Sequence, residues 1–155
     1  MREESAISTT VWLIAAIASR QHGVISSTQL IAAGLTTSAI GRWVSAGRLH
    51  RIHRGVYAVG HTALTHRGRW MAAVLACGEG AALSHTDAAY LLDLLPPPAN
   101  RGPVHLTVAG DGGRRRRDGL VVHRSAISAR ATRPEAPSSA ASFASAAATG
   151  SRGQR

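Results

Sequence analysis

Apolar positions recur at helical spacing in the first part of the chain and change period after Gly47. Between Ser8 and Gln21, Trp12, Leu13, Ala16 and Ile17 share a face, which predicts a helix capped by Thr9 or Thr10 and ended by Gly23. Val24 and Ile25 are β-branched and predict a short strand able to pair with a later hairpin. Ser26 or Ser27 caps a second helix, Thr28 to Ala33, which Gly34 stops in a left-handed conformation. Thr36 or Thr37 caps a third, Ser38 to Ala46, with Ile40, Val44 and Trp43 turned inward and Gly47 at its end. From Arg48 to Gly60 the period shortens. Leu49, Ile52, Val56 and Val59 interleave with Arg48, His50, Arg51, His53 and Arg54, a pattern that predicts a β-hairpin turning at Gly55.

The second half predicts a helix over His66 to Cys77 and another over Ser84 to Leu95. Ser84 is its expected cap, Asp87 closes a capping box, and Pro96 to Pro98 end it. Val104 to Val108 and Leu120 to His123 read as two strands joined by the polar, glycine-rich loop AGDGGRRRRDG. After Ser125 the chain is mostly Ala, Ser, Pro, Gly and Arg. Phe143 is its only large apolar side chain. Such a segment buries too little surface to offset its ordering entropy, so residues 126–155 are expected to be a disordered or truncated tail, with transient helix over Ser138 to Ala148.

The expected fold class is therefore α+β. Residues 8–60 form an N-terminal winged helix-turn-helix: a short helix, a glycine turn, a second helix and a basic hairpin. Residues 61–125 form a small second unit, helical plus a β-hairpin.

Charge sharpens the picture. Eighteen basic residues against eight acidic ones leave a formal net charge of +10, and every basic residue is Arg. Arg is the better fork for phosphate and for guanine edges, and a basic balance favours polyanionic partners. The single Cys77 excludes an internal disulfide. The apolar run Val11 to Ala18 is too short to span a bilayer. Arg2, Glu3 and Glu4 before it are not the positive start of a signal peptide, so a cytoplasmic location is expected.

Double-stranded DNA is the expected partner. In the third helix Thr37, Ser38, Gly41, Arg42 and Ser45 occupy the polar side, with Thr37 or Ser38 placed to reach phosphate or a base edge and Arg42 to grip guanine. In the hairpin, strict alternation puts Arg48, His50 and Arg54 on one face and Arg51 and His53 on the other. A wing arginine is suited to phosphate or to the minor groove. Arg114, Arg115, Arg116 and Arg117 add a dense positive loop suited to backbone phosphate.

Eight histidines raise metal binding, but His50, His53, His61, His66, Cys77 and His85 follow no compact zinc spacing, and His22 and His105 stand isolated. No metal or cofactor is expected. Nor is an enzyme. Ser84 and His85, adjacent on a helix, point apart and form no triad with Asp87, and the glycine-rich stretches lack a phosphate loop's Lys-Ser/Thr pair. No clustered carboxylates suggest magnesium-assisted phosphodiester cleavage. Asp87, Asp93, Asp111 and Asp118 read as capping and surface residues, and Trp43, Trp70 and Tyr57 as core or groove-lining aromatics.

A resemblance follows from particular blocks. These include Gln21-His22-Gly23-Val24-Ile25, Gln29-Leu30, Gly34-Leu35, Ser38-Ala39-Ile40 and Gly47-Arg48-Leu49, and above all His50-Arg51-Ile52-His53-Arg54-Gly55-Val56-Tyr57-Ala58-Val59-Gly60. Arg67-Gly68-Arg69-Trp70, Leu83-Ser84-His85, Val104 to Val108 and Val122-His123-Arg124-Ser125 extend it over most of residues 8 to 125. On these residues the chain resembles the AbiEi-type antitoxins of type IV toxin-antitoxin systems. The resemblance implies a head that binds operator DNA and represses its own operon, with Ser38 and Arg42 in the recognition helix and Arg48, Arg51 and Arg54 in the wing. It also implies a nucleotidyltransferase-like toxin as partner. Many relatives continue into a restriction-endonuclease-like domain, which the sequence after Ser125 does not resemble. The expected function is an antitoxin-like transcriptional autorepressor. The alternatives are a protein-interaction module that neutralises a toxin and a non-catalytic remnant of a DNA-processing nuclease-family protein.

Overall fold

The computed structural model describes residues 2–96, 102–110, 114–117 and 119–125. The expected tail, 126–155, lies outside the described residues. The head runs α1 (Arg2–Arg20), β1 (Val24–Ser26), α2 (Ser27–Ala32), α3 (Thr37–Ser45), β2 (Leu49–His53) and β3 (Val56–Val59). This is the helix-turn-helix-plus-hairpin order expected from the sequence. β1 joins the hairpin as expected, giving an antiparallel sheet of order β1-β3-β2.

The period-two pattern of the strands divides two cores between the faces of this sheet. Ile25, Leu49 and Tyr57 pack with Ile14, Leu30, Leu35 and Ile40 from α1, α2 and the segment leading through α3. Val24, Val56 and Ala58 face the other way and pack with Leu64, Met71 and Ala72. The first helix differs from its expected face: Trp12 is 71% exposed, while Ile14 and Ala18 supply the buried positions. Val44 of α3 is likewise exposed rather than inward.

The second unit contains α4 (His66–Cys77), β4 (Ala82–Leu83), α5 (His85–Leu91), β5 (Val104–Ala109), β6 (Arg114–Arg117) and β7 (Leu120–Ser125). Its sheet has the order β4-β5-β7-β6. The two predicted strands do pair, but in parallel, Val104 opposite Leu120 and Ala109 opposite Ser125. Antiparallel neighbours join through tight loops, whereas parallel ones need a longer return. Here the return holds β6, so Arg114–Arg117 form an edge strand antiparallel to β7 rather than a loop.

Helix α4 is buried on two stripes. Trp70, Ala73, Val74 and Cys77 belong with the core of the second sheet; Met71, Ala72 and Leu75 belong with the head. Both stripes follow i, i+3, i+4 spacing, the mark of a helix with apolar neighbours on opposite sides. Gly68 permits the close approach on the head side: a Cβ there would stand 2.7 Å from the carbonyl oxygen of His22.

Asp87 departs from its expected role. The Ser84 side chain makes no capping bond, so no capping box forms. The Asp87 carboxylate is buried and accepts from Trp70 Nε1 at 2.9 Å and from the His105 backbone N–H at 2.8 Å. One side chain thus ties α5 to α4 and β5. Ser84 lies before the helix in extended backbone, and its hydroxyl is 3.0 Å from His85 Nδ1. The two side chains therefore meet rather than diverge. His105 is not isolated either, since His85 and His123 stand beside it.

Two outcomes follow. Gly68→Ala should destabilise the whole described fold by about 1–3 kcal/mol, because the obstructing atom is backbone. Asp87→Ala strands two buried donors and should cost about 2–4 kcal/mol, with Asp87→Asn milder. Urea unfolding of the three proteins measures both.

Candidate nucleic-acid interface

The candidate interface is built on α3, whose position rests on the turn before it. Ser26 caps α2 reciprocally with Gln29: its hydroxyl accepts from Gln29 N, and Gln29 Oε1 accepts from Ser26 N. At the other end the Leu35 N–H reaches Leu30 O at 3.0 Å and the Gly34 N–H reaches Ile31 O at 2.9 Å. This is a Schellman closure. Gly34 has φ +101, and Leu30 and Leu35 are buried in one cluster. The chain then turns into α3, where Thr36 Oγ1 accepts from Ala39 N at 3.2 Å. The same closure ends α3: Gly47 at φ +69, with Arg48 N bonded to Trp43 O at 2.9 Å.

Only Ile40 of α3 is fully buried. Thr37, Ser38, Gly41, Arg42 and Ser45 are all exposed. The Ser45 hydroxyl donates to Gly41 O at 3.2 Å and so lies back along its own helix. Thr36, Ala39, Arg42 and Trp43 line one side of a cleft of about 390 Å³, with Thr10, Gly34 and Leu35 on the other.

The hairpin does not keep the strict alternation expected of it. Arg51 stands opposite Tyr57, His53 opposite Val56, and the register slips between them. This bulge lets Ile52 join the cluster facing α4. It also sends Arg51 and His53 to different faces. Arg51 shares the register face of Leu49 and Tyr57, on the side of α1 to α3. His53 pairs with Val56, and His50 with Ala58, on the α4 side.

Two arginines are held by aromatic rings. The Arg48 guanidinium lies 5.6 Å from the Trp43 ring centroid, and that of Arg51 lies 5.9 Å from Tyr57. Such contacts hold the long side chains without removing their charge. Trp43 and Tyr57 thus act as supports from within the head core, a role invisible in spacing alone.

The structure therefore gathers Arg42, Arg48 and Arg51 on the side of α3, with Thr37 and Ser38 at the helix start. It places His50 on the α4 side. Arg54 is exposed in the hairpin turn, whose Gly55 O accepts from Ser27 N at 2.8 Å. Arg114 to Arg117 occupy the edge strand of the second sheet, with Arg114 opposite His123.

A helix-turn-helix with a basic hairpin defines a class of regulatory head. Residues 13–60 match the family model described as transcriptional regulator, AbiEi antitoxin. The match runs from within α1 to the end of the hairpin, and this N-terminal region is of the AbiEi antitoxin type. No curated protein matches the chain. Among the described residues, no helix is long and apolar enough to cross a membrane.

The cap at Thr36 carries the start of α3. Thr36→Ala should lower thermal stability by about 1 kcal/mol, and Thr36→Ser should restore it, as differential scanning calorimetry can measure.

Proposed function

We propose that the head binds double-stranded DNA as an antitoxin-type transcriptional autorepressor. The N-terminus of α3 enters the major groove, and the Arg48–Arg51 side of β2 lies along phosphate. The observation that carries this reading is the placement of three arginines around one exposed helix, two of them seated on aromatic rings. Oriented guanidiniums lose less freedom on meeting phosphate than free ones do. Arg42, on the exposed side of α3, is the candidate for a base edge, because bidentate pairing with guanine needs an unencumbered fork. Arg48 and Arg51 are candidates for phosphate, which positions a protein without reading sequence. His50, on the opposite face of the sheet, contributes little.

The antitoxin description of the matched family supports a second partner, a toxin, which would meet surface outside the α3 face. A cytoplasmic location accords with both roles.

Fluorescence anisotropy decides between sequence reading and simple basicity. The chain is titrated against its own upstream promoter and against scrambled DNA of equal length, at low and physiological salt. The expected result is a preference for the promoter that survives physiological salt. Arg42→Ala should erase about 1–3 kcal/mol of that preference. Arg48→Ala or Arg51→Ala should weaken both DNAs alike and lower the salt slope by about 1 each. Equal affinity for both DNAs, vanishing with salt, would overturn the reading.

A further inference from the structure

The fold unites three histidines that are far apart in sequence. His85 begins α5, His105 lies in β5 and His123 in β7. Thr107 stands opposite His123 and His105 opposite Val121, so the parallel register sets His105 and His123 on one face of the sheet, one step apart on neighbouring strands. His85 arrives from the turn before α5. Its φ of +54 is one that non-glycine residues seldom adopt. Its ring centroid lies 4.2 Å from that of His123 and 5.6 Å from that of His105.

We infer that His85, His105 and His123 form a binding site for one zinc ion. Each residue offers one ring nitrogen, and the three nitrogens all lie within 4.8 Å of one another. His105 Nδ1 and His123 Nε2 are 3.3 Å apart. Zinc binds imidazole nitrogen at about 2.0–2.1 Å, so two ligands of a tetrahedral ion stand roughly 3.3–3.4 Å apart. That pair already has the separation of one tetrahedral edge. The His85 ring, exposed at the rim, completes the triangle by a small swing.

The surroundings suit the task. Ser84 Oγ stands 3.0 Å from His85 Nδ1. A hydrogen bond from Nδ1 to this hydroxyl leaves Nε2 with the lone pair a metal needs. Asp87 accepts from the His105 backbone N–H and so anchors the strand that carries this ligand. Three neutral imidazoles are borderline donors, matched to zinc and its neighbours rather than to magnesium or calcium. Three protein ligands leave a fourth position for water or for a ligand from outside, and His85 exposes that side. The site lies on the second sheet and stands independently of the DNA reading.

The test uses the full chain, stripped with a chelator, and titrated with zinc in competition with a chromophoric chelator. Cobalt serves as the spectroscopic probe. Expected are one zinc per chain at micromolar or tighter affinity and visible cobalt bands of low-symmetry coordination. His85→Asn, which tolerates the left-handed backbone, and His123→Gln should each weaken zinc at least about tenfold. His50→Gln and His61→Gln should leave it unchanged. Circular dichroism checks that each variant folds; if His123→Gln does not, His85→Asn alone decides. Zinc affinity equal in the native chain and in folded His85→Asn would overturn the site, as would cobalt spectra showing only hexaaqua ion.

Discussion

Everything described here turns on α4 being shared. A helix usually buries one stripe and shows the other to water. This one gives Met71 and Ala72 to the head and Trp70, Ala73 and Val74 to the second sheet. The three-stranded sheet consequently has helices on both faces, and its hairpin is a wall between two cores. The candidate interface inherits its rigidity from that wall. Leu49 and Tyr57 fix the inner side of β2, and the arginines can then be laid over aromatic rings that do not move.

Much of the head was legible because its signals are local. Ser26, Gly34, Thr36, Gly47 and Gly55 act on backbone within a few residues, and each marks an end or a turn. The strand at Val24 and Ile25 was readable from β-branching, and its partner from the one hairpin nearby. The faces were less legible. Alternation assigns hairpin residues correctly only while the register holds, and one extra residue at Ile52 reverses the assignment of His53. Likewise, Trp12 satisfies helical spacing in α1, but spacing alone does not say which stripe meets the sheet.

The second unit hid its organisation in long-range contacts. Parallel pairing of β5 with β7 leaves no short-range mark, and four consecutive arginines look like a loop on composition although the ladder makes them a strand. Asp87 sat three residues after a serine, the spacing of a capping box, yet a buried indole N–H and a strand N–H took both of its oxygens. The histidine cluster escaped for the same reason. Its members are nearly twenty residues apart at each step, and only the sheet register brings them together.

The shared helix also bears on what the head would be if it stood alone. Val24, Val56 and Ala58 form a continuous apolar surface on the α4 side, each almost wholly shielded from water. A fragment ending at Gly60 would lay that surface bare beside an open strand edge, the combination that invites association between copies. The stretch that resembles an autonomous regulatory module is thus, in solubility, dependent on residues beyond it. The boundary between recognition and support runs through a helix rather than through a linker.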